Sequence, residues 1–136
     1  MPTTTQLVIS ERSKPGVLAQ VASVLGGAGV NIKAFSAPEV TGTGNLRLLV
    51  ADLEGARAAL RAAKIRFREE VALVLSLENK PGALKEVADL LNKARINIKC
   101  GYCTPSREGK RAIVVLTVSN TQKALDVLRD RSLDEF

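Results

Sequence analysis

Two short segments of this chain carry the residue types of a small-molecule binding site. Ser13-Lys14-Pro15-Gly16-Val17 and Asn79-Lys80-Pro81-Gly82-Ala83 each set a polar residue, a cation, a proline and a glycine just before an apolar periodic run. A helix starting there presents unpaired backbone N–H groups and the positive end of its dipole, a cradle for a carboxylate, and Gly16 or Gly82 lets the backbone approach closely. Asn31-Ile32 and Asn97-Ile98 follow at the next β-prone run, and each asparagine amide offers both a donor and an acceptor. Catalytic chemistry has no comparable candidates. Histidine is absent from all 136 residues, which excludes His-based acid/base catalysis, Ser-His-Asp or Cys-His nucleophiles and His-containing metal sites. No carboxylate pair stands out as an acid and base, and no cofactor is implied.

Cys100 and Cys103 form a CxxC. A redox pair of this spacing normally starts a helix, where the dipole lowers a thiol pKa, whereas this one ends a β-prone run and leads into a loop. Residues three apart on a regular strand also face opposite ways, and a zinc ion would need two further ligands. The two cysteines are therefore weak metal candidates, better read as an ordinary pair on a strand. Arg57, Arg61, Lys64, Arg66 and Arg68 make a basic stretch within an overall balance of 20 Lys and Arg against 14 Asp and Glu, net +6. Nucleic acid is the partner such a surface can suggest, but aromatics are only 3% of the chain and the stacking residues of an RNA-binding sheet are missing from the first and third strands. The basic stretch reads as a solvated face. Met1 to Gln6 is short and polar, no apolar run has the length of a membrane span, and two cysteines make no secreted-type framework, so the expected location is the cytoplasm.

The elements that must position these residues come in two copies. Leu7 to Lys33 superposes without a gap on Leu73 to Lys99 at an offset of 66 residues, with identities at Lys14/Lys80, Pro15/Pro81, Gly16/Gly82, Leu18/Leu84, Val21/Val87, Leu25/Leu91, Asn31/Asn97 and Ile32/Ile98 among others. The second halves align with two extra residues, pairing Asp52 with Asn120, Ala56 with Ala124 and Leu60 with Leu128. The expected units are 1–70 and 71–136, each small for a free-standing core.

Within a unit the periodicity changes in a fixed order. Leu7 to Ser10 and Ala72 to Leu77 predict strands. Ser13 and Asn79 are candidate N-caps, and Leu18, Val21, Ala22, Leu25 and their partners Leu84, Val87, Ala88, Leu91 predict the buried stripe of a helix ending near Ala28 and Ala94. Gly29 suits a left-handed residue after the helix, and its partner Arg95 would have to adopt the same conformation at a cost of about 1 kcal/mol. Val30 to Phe35 and Ile96 to Tyr102, then Leu46 to Val50 and Ala112 to Val118, predict strands two and three. Asp52 and Asn120 cap a second helix, and Ile65 to Arg68 forms a closing strand whose counterpart is left with Ser132 to Phe136. The order β-α-β-β-α-β, twice, predicts an α+β fold with helices on one face of antiparallel sheets. Ala72 to Leu75 and Ala112 to Leu116 are apolar at consecutive positions, so both sheet faces are apolar, and a sheet-to-sheet homodimer or a partner enzyme is expected on the second face.

The segments 13–18 with 29–32, and 79–84 with 95–98, resemble the signature of ACT domains, and the likeness covers nearly the whole chain as two tandem copies. The resemblance implies two ferredoxin-like βαββαβ units side by side, their sheets joining through the edge strand two into an eight-stranded sheet. It also implies a non-catalytic, allosteric regulatory protein that binds an effector, usually an amino acid, where two units meet. An amino acid must have both carboxylate and ammonium satisfied on leaving water. Helix-start amides, Asn31 or Asn97, and Asn79 can do this with Lys14 or Lys80 nearby. Ser13 lacks the amide of Asn79, so the site using Asn79, Gly82 and Asn97 is expected to be the stronger. A ferredoxin-like scaffold without ligand is the alternative.

Overall fold

The computed structural model describes residues 3–12, 14–38, 46–105 and 108–129. Along the chain run β1 (Thr3–Ile9), α1 (Val17–Gly27), β2 (Ile32–Ser36), β3 (Leu46–Val50), α2 (Leu53–Ala62), β4 (Phe67–Glu78), α3 (Ala83–Lys93), β5 (Ile98–Pro105), β6 (Arg111–Val118) and α4 (Thr121–Val127). Two compact units divide the chain, Thr5–Glu70 and Val71–Phe136, the latter grouped with Met1–Thr4.

The expected eight strands are six among the described residues, antiparallel, in the order β2-β3-β1-β4-β6-β5. Two differences account for the count. The closing strand predicted at 65–68 and the opening strand predicted at 72–77 are one strand, the 12-residue β4, because no Gly or Pro falls between Phe67 and Glu78 to break the extended run. The strand predicted at 132–136 lies outside the described residues.

In the first unit, Leu7 and Ile9 of β1 and Leu46 and Leu48 of β3 pack with Val21 and Leu25 of α1 and Ala56 and Leu60 of α2. In the second, Leu73, Leu75 and Leu77 pack with Val114, Leu116 and Val118, under Val87 and Leu91 of α3 and Ala124 and Leu128. Period-2 strands and period-3.6 helices thus put matching residues of the repeat into matching cores. Asp52 and Asn120 cap as expected: Gly55 N–H donates to Asp52 Oδ1 at 3.0 Å, and Lys123 N–H to Asn120 Oδ1 at 3.0 Å.

The buried stripe of the first helix in each unit is rotated from its expected position. Val17, Val21 and Leu25, and Ala83, Val87 and Leu91, face the core, whereas Leu18 and Leu84 are 37% and 58% exposed. The helices start later than the candidate caps imply. Gly16 and Gly82 are the N-cap residues, with φ of 92° and 89°, a conformation favoured by glycine. Entry through that left-handed residue sets which face turns inward. On the opposite sheet face, Val8, Leu49, Ala72, Val74 and Val115 are buried within the single chain.

Candidate functional site

The site is built where β4 ends and α3 begins. β4 and β6 run antiparallel, with Leu77 opposite Ala112 and Glu78 opposite Arg111. The chain then turns through Asn79 and Lys80 into α3, while β5 lies on the far side of β6 with Gly101 opposite Leu116 and Cys103 opposite Val114. Helix and outer strand leave between them a cavity of about 430 Å³, whose walls include Leu77, Leu84, Ile98, Gly101, Tyr102 and Leu116, with Glu78, Asn79 and Lys80 at one end. All of it lies within the second unit, and its volume falls in the ~300–1,000 Å³ range of small-ligand sites. A polar cavity of about 330 Å³ shares Leu77, Glu78, Lys80 and Ala83 and adds Ser76, Glu86 and Arg111. An apolar chamber thus adjoins a charged one.

The charged part is pre-ordered. Lys80 Nζ meets Glu78 Oε2 at 2.8 Å, and this hydrogen bond holds the Glu78 carboxyl below and the Lys80 ammonium above their ordinary ranges. Arg111 donates from Nε to Ser76 Oγ at 3.0 Å and from Nη2 to the Ser76 carbonyl at 2.8 Å. No side chain among the described residues caps α3; Ala83 N–H donates to the Lys80 carbonyl at 3.4 Å, and the N–H groups of Leu84 and Lys85 are those an anion could take. A Cβ added at Gly82 would meet nothing within 4 Å, so the space beside its backbone is open.

Of the residues singled out in the second unit, the structure brings Asn79, Lys80, Ala83 and Ile98 to the cavity, with Gly82 adjoining as the helix cap. Asn97 is not among the residues lining it. It borders a shallow depression with Asn92, Lys93, Arg95 and Ile96, where its N–H donates to Ser119 Oγ at 2.9 Å. Asn79 caps no helix. Its Nδ2 donates to the Gly109 carbonyl at 2.8 Å and its N–H to the Lys110 carbonyl at 2.9 Å, holding the β5–β6 connection against the end of β4.

In the first unit Ser13 lies outside the described residues. Lys14 and Val17 border a cavity of about 130 Å³ with Glu11, Leu18, Ala37, Pro38 and Leu46. Gly16 caps α1, the Asn31 carbonyl accepts from Ala51 N–H at 2.9 Å, and Ile32 packs on the core. Neither Asn31 nor Ile32 lines that cavity.

Cys100 and Cys103 stand opposite Thr117 and Val114 respectively, on opposite faces of β5. Among the described residues no group of three or more Cys, Asp or Glu could hold a metal ion. Most of the basic stretch is paired. Arg57 donates to both oxygens of Glu69, at 3.0 and 2.6 Å, and to Glu54; Arg68 pairs with Glu70 at 2.7 Å and Arg66 with Glu11 at 3.7 Å. The Arg61 guanidinium lies over the Phe67 ring, 5.7 Å from its centre. Among the described residues no helix is long and apolar enough to cross a membrane.

Leu77, Leu84, Gly101 and Tyr102 are functional candidates that reasoning from motifs passes over. The alternation of β5 and β6 was the available signal, but which strand lies outermost beside α3 is a matter of sheet order.

Residues 73–130 match the family described as the AHAS small subunit-like ACT domain. No curated protein sequence matches the chain. Among solved structures, protein BT0572 from Bacteroides thetaiotaomicron is 29% identical, with a TM-score of 0.84 over 95% of this chain and 88% of that one. The regulatory subunit of aspartate kinase from Thermus thermophilus, in its ligand-free form, has a TM-score of 0.60 at 16% identity, over 96% and 97% of the two chains. Its counterpart from Thermus flavus has a TM-score of 0.56 at 16% identity, over 96% and 92%. These two likenesses are of fold.

Proposed function

We propose that the chain is a non-catalytic regulatory protein, a tandem of two ACT-like units, whose effector is a free amino acid held by the second unit. The observation that carries this reading is the 430 Å³ apolar cavity ending at Glu78, Asn79 and Lys80 beside the uncapped start of α3. A zwitterion fits that polarity. Its carboxylate takes the α3 N–H groups and Lys80, its ammonium takes Glu78, and its side chain enters the apolar chamber. Asn79 acts by holding the connection to β6 in place, and Asn97 serves the backbone of the β5 entry rather than the ligand.

Regulation follows from differential binding: an effector shifts a partner's behaviour only by the difference in its affinity for the two arrangements of the protein. The regulatory subunit of aspartate kinase, a fold relative, gives the precedent for service to an enzyme elsewhere in a cell. In this reading the chain forms a homodimer or docks on an enzyme subunit, and the end strands β2 and β5 offer unpaired edges for it. The location in this reading is the cytoplasm.

A thermal-shift screen of the twenty amino acids tests the proposal. A few should raise the melting midpoint, as any ligand that binds only the folded state does, and Lys80→Ala should lose most of the response. Asn97→Ala, the variant the sequence alone would select, should keep it. A midpoint that no amino acid moves refutes the reading.

A further inference from the structure

The two strands that end the sheet, β2 and β5, each leave one edge to which a strand of another chain could add through backbone N–H and C=O groups. Both edges are interrupted at the same place. β2 pairs Ile32 with Val50 and Ala34 with Leu49, and β5 pairs Ile98 with Val118 and Cys100 with Thr117. Two steps along the outer strand thus match one step along the inner strand, the count of a β-bulge, and the extra residue is Lys33 or Lys99. Ahead of each bulge the same backbone bond pins the chain: Ala51 N–H donates to the Asn31 carbonyl and Ser119 N–H to the Asn97 carbonyl, both at 2.9 Å. Lys33 and Lys99 are counterparts in the repeat, and both are exposed. Nearby exposed positions have diverged, Gly27 against Lys93 and Gly29 against Arg95, whereas bulge and lysine are the same in both copies. A proline follows each. Pro105 ends β5 and Pro38 lies two residues beyond β2, and proline has no N–H to give a ladder.

We propose that Lys33 and Lys99 guard the two sheet edges: each sets an ammonium in solvent on the bulge of an end strand, and this keeps a second copy of the chain from adding a strand along the whole edge. The bulge breaks the row of hydrogen-bond groups, and a strand docking there would have to take the charge out of water. Where two bulges meet, the lysines also repel one another. The strand behind the edge explains the need. β6, which β5 covers along one side, reads Ala-Ile-Val-Val-Leu-Thr-Val from Ala112 to Val118, an uncharged β-prone run of the kind that aggregates through an open edge. What remains for a partner is Ala34 to Ser36 in β2 and Cys100 to Thr104 in β5, three residues and five. The inference is independent of the effector reading, and it limits where the edges can take a partner.

Sedimentation velocity on the full chain, with thioflavin T fluorescence during prolonged incubation, tests the proposal. Lys33→Thr and Lys99→Thr, singly and together, put an uncharged residue that suits a strand in place of each lysine. The double variant should associate beyond the species that the unaltered chain forms at a concentration about tenfold lower or less, and should become thioflavin-positive sooner, at an unchanged urea midpoint. Lys33→Glu with Lys99→Glu, which keeps a charge on each bulge, should behave as the unaltered chain does. Lys123→Thr on α4, exposed but on neither edge, should also change nothing. The unaltered chain supplies a measurement that no variant's folding can confound. Raising the salt from about 0.05 to about 0.5 M screens exposed charges, and should promote its association while leaving the double threonine variant little changed. The proposal is overturned if salt leaves the unaltered chain's association where it was, or if the double threonine variant associates no more readily than the unaltered chain. It is equally overturned if the glutamate pair or Lys123→Thr associates as readily as the double threonine variant.

Discussion

At the scale of single residues the repeat is most informative where the two copies disagree. Gly29 and Arg95 occupy the same place after the first helix of each unit, and both are left-handed, with φ of 74° and 57°. A glycine tolerates this; an arginine pays on the order of 1 kcal/mol for it. Arg95→Gly should therefore stabilise the protein by up to about 1 kcal/mol, somewhat less once the extra freedom of glycine in the unfolded chain is counted. Lys64, at φ 58°, offers a second case, and the double variant should come close to the sum, since the sites lie in different units. Urea unfolding midpoints at constant slope measure both, and a loss of stability in Arg95→Gly refutes the strain argument. This conformation could be read from the alignment of Arg95 with Gly29 alone. The roles of Asn79 and Asn97 could not. Each has the donor and acceptor a ligand needs, but Asn79 is claimed by the loop carbonyl of Gly109, a neighbour 30 residues away. Asn97 sits just before an irregularity in the β5 ladder between Ile98 and Cys100, which alters the facing that strict alternation would give.

Among the elements, strand and helix order was legible almost throughout, because period 2 and period 3.6 alternate cleanly and Asp52 and Asn120 mark helix starts. The facing of α1 and α3 was less so. Leu18-Val21-Ala22-Leu25 and Val17-Val21-Val24-Leu25 are both acceptable helical stripes, and only the turn through left-handed Gly16 selects the second. The residue thus excluded in the second unit, Leu84, is the one available to a ligand. Cys103 gives an independent view of the same wall: it is exposed and lines the cavity. In a Cys100→Ser background, maleimide labelling of Cys103 should slow several-fold when leucine is present, and a rate that leucine leaves unchanged places the ligand elsewhere. The tie between α2 and β4 yields a pH prediction. A hydrogen bond from Arg57 holds Glu69 below the ordinary carboxylate value of 4.5, against a smaller opposing effect of burial, and the Arg66 backbone N–H lowers Glu11 in the same way. A carboxyl with a lower pKa folded than unfolded adds stability above its unfolded value and loses it as the pH falls through the folded one. The melting temperature should be level from neutrality to about pH 5 and then decline. Glu69→Gln should start lower at neutral pH and decline less steeply; parallel curves for the two proteins refute the assignment.

For the whole molecule, the repeat suggests two units, 1–70 and 71–136, with a strand closing the first and another opening the second, and the junction is where that picture changes most. β4 is continuous from Phe67 to Glu78, yet its first four residues belong to one compact unit and the rest to the other. The first residues of β1 likewise group with the second unit, while the remainder of that strand belongs to the first. The boundary at residues 70 and 71 therefore falls inside a continuous strand rather than in a loop. Polar and apolar pattern could not reveal this, since Arg68-Glu69-Glu70 reads as a break in hydrophobicity while the backbone through it stays extended. The burden on Glu70 is visible in the structure: Gln6 Nε2 donates to its Oε1 at 3.1 Å, Arg47 Nε to the same oxygen at 3.2 Å, and Arg68 Nη1 to Oε2 at 2.7 Å. The first of these bonds gives the amide of the fully buried Gln6 on β1 a partner, and the other two neutralise the carboxylate that accepts it. Two units of 65 to 70 residues with separate cores could unfold in two steps, but β4 runs unbroken from one into the other, and either small core supplies only a few kcal/mol. The intact chain should unfold in urea in one transition, coincident by far-ultraviolet circular dichroism and by amide exchange in both cores. A fragment of residues 71–136 alone, which cuts β4 after its fourth residue, should remain largely unfolded. Two resolved transitions, or a well-folded 71–136 fragment, would show that the continuity of β4 carries no energetic weight.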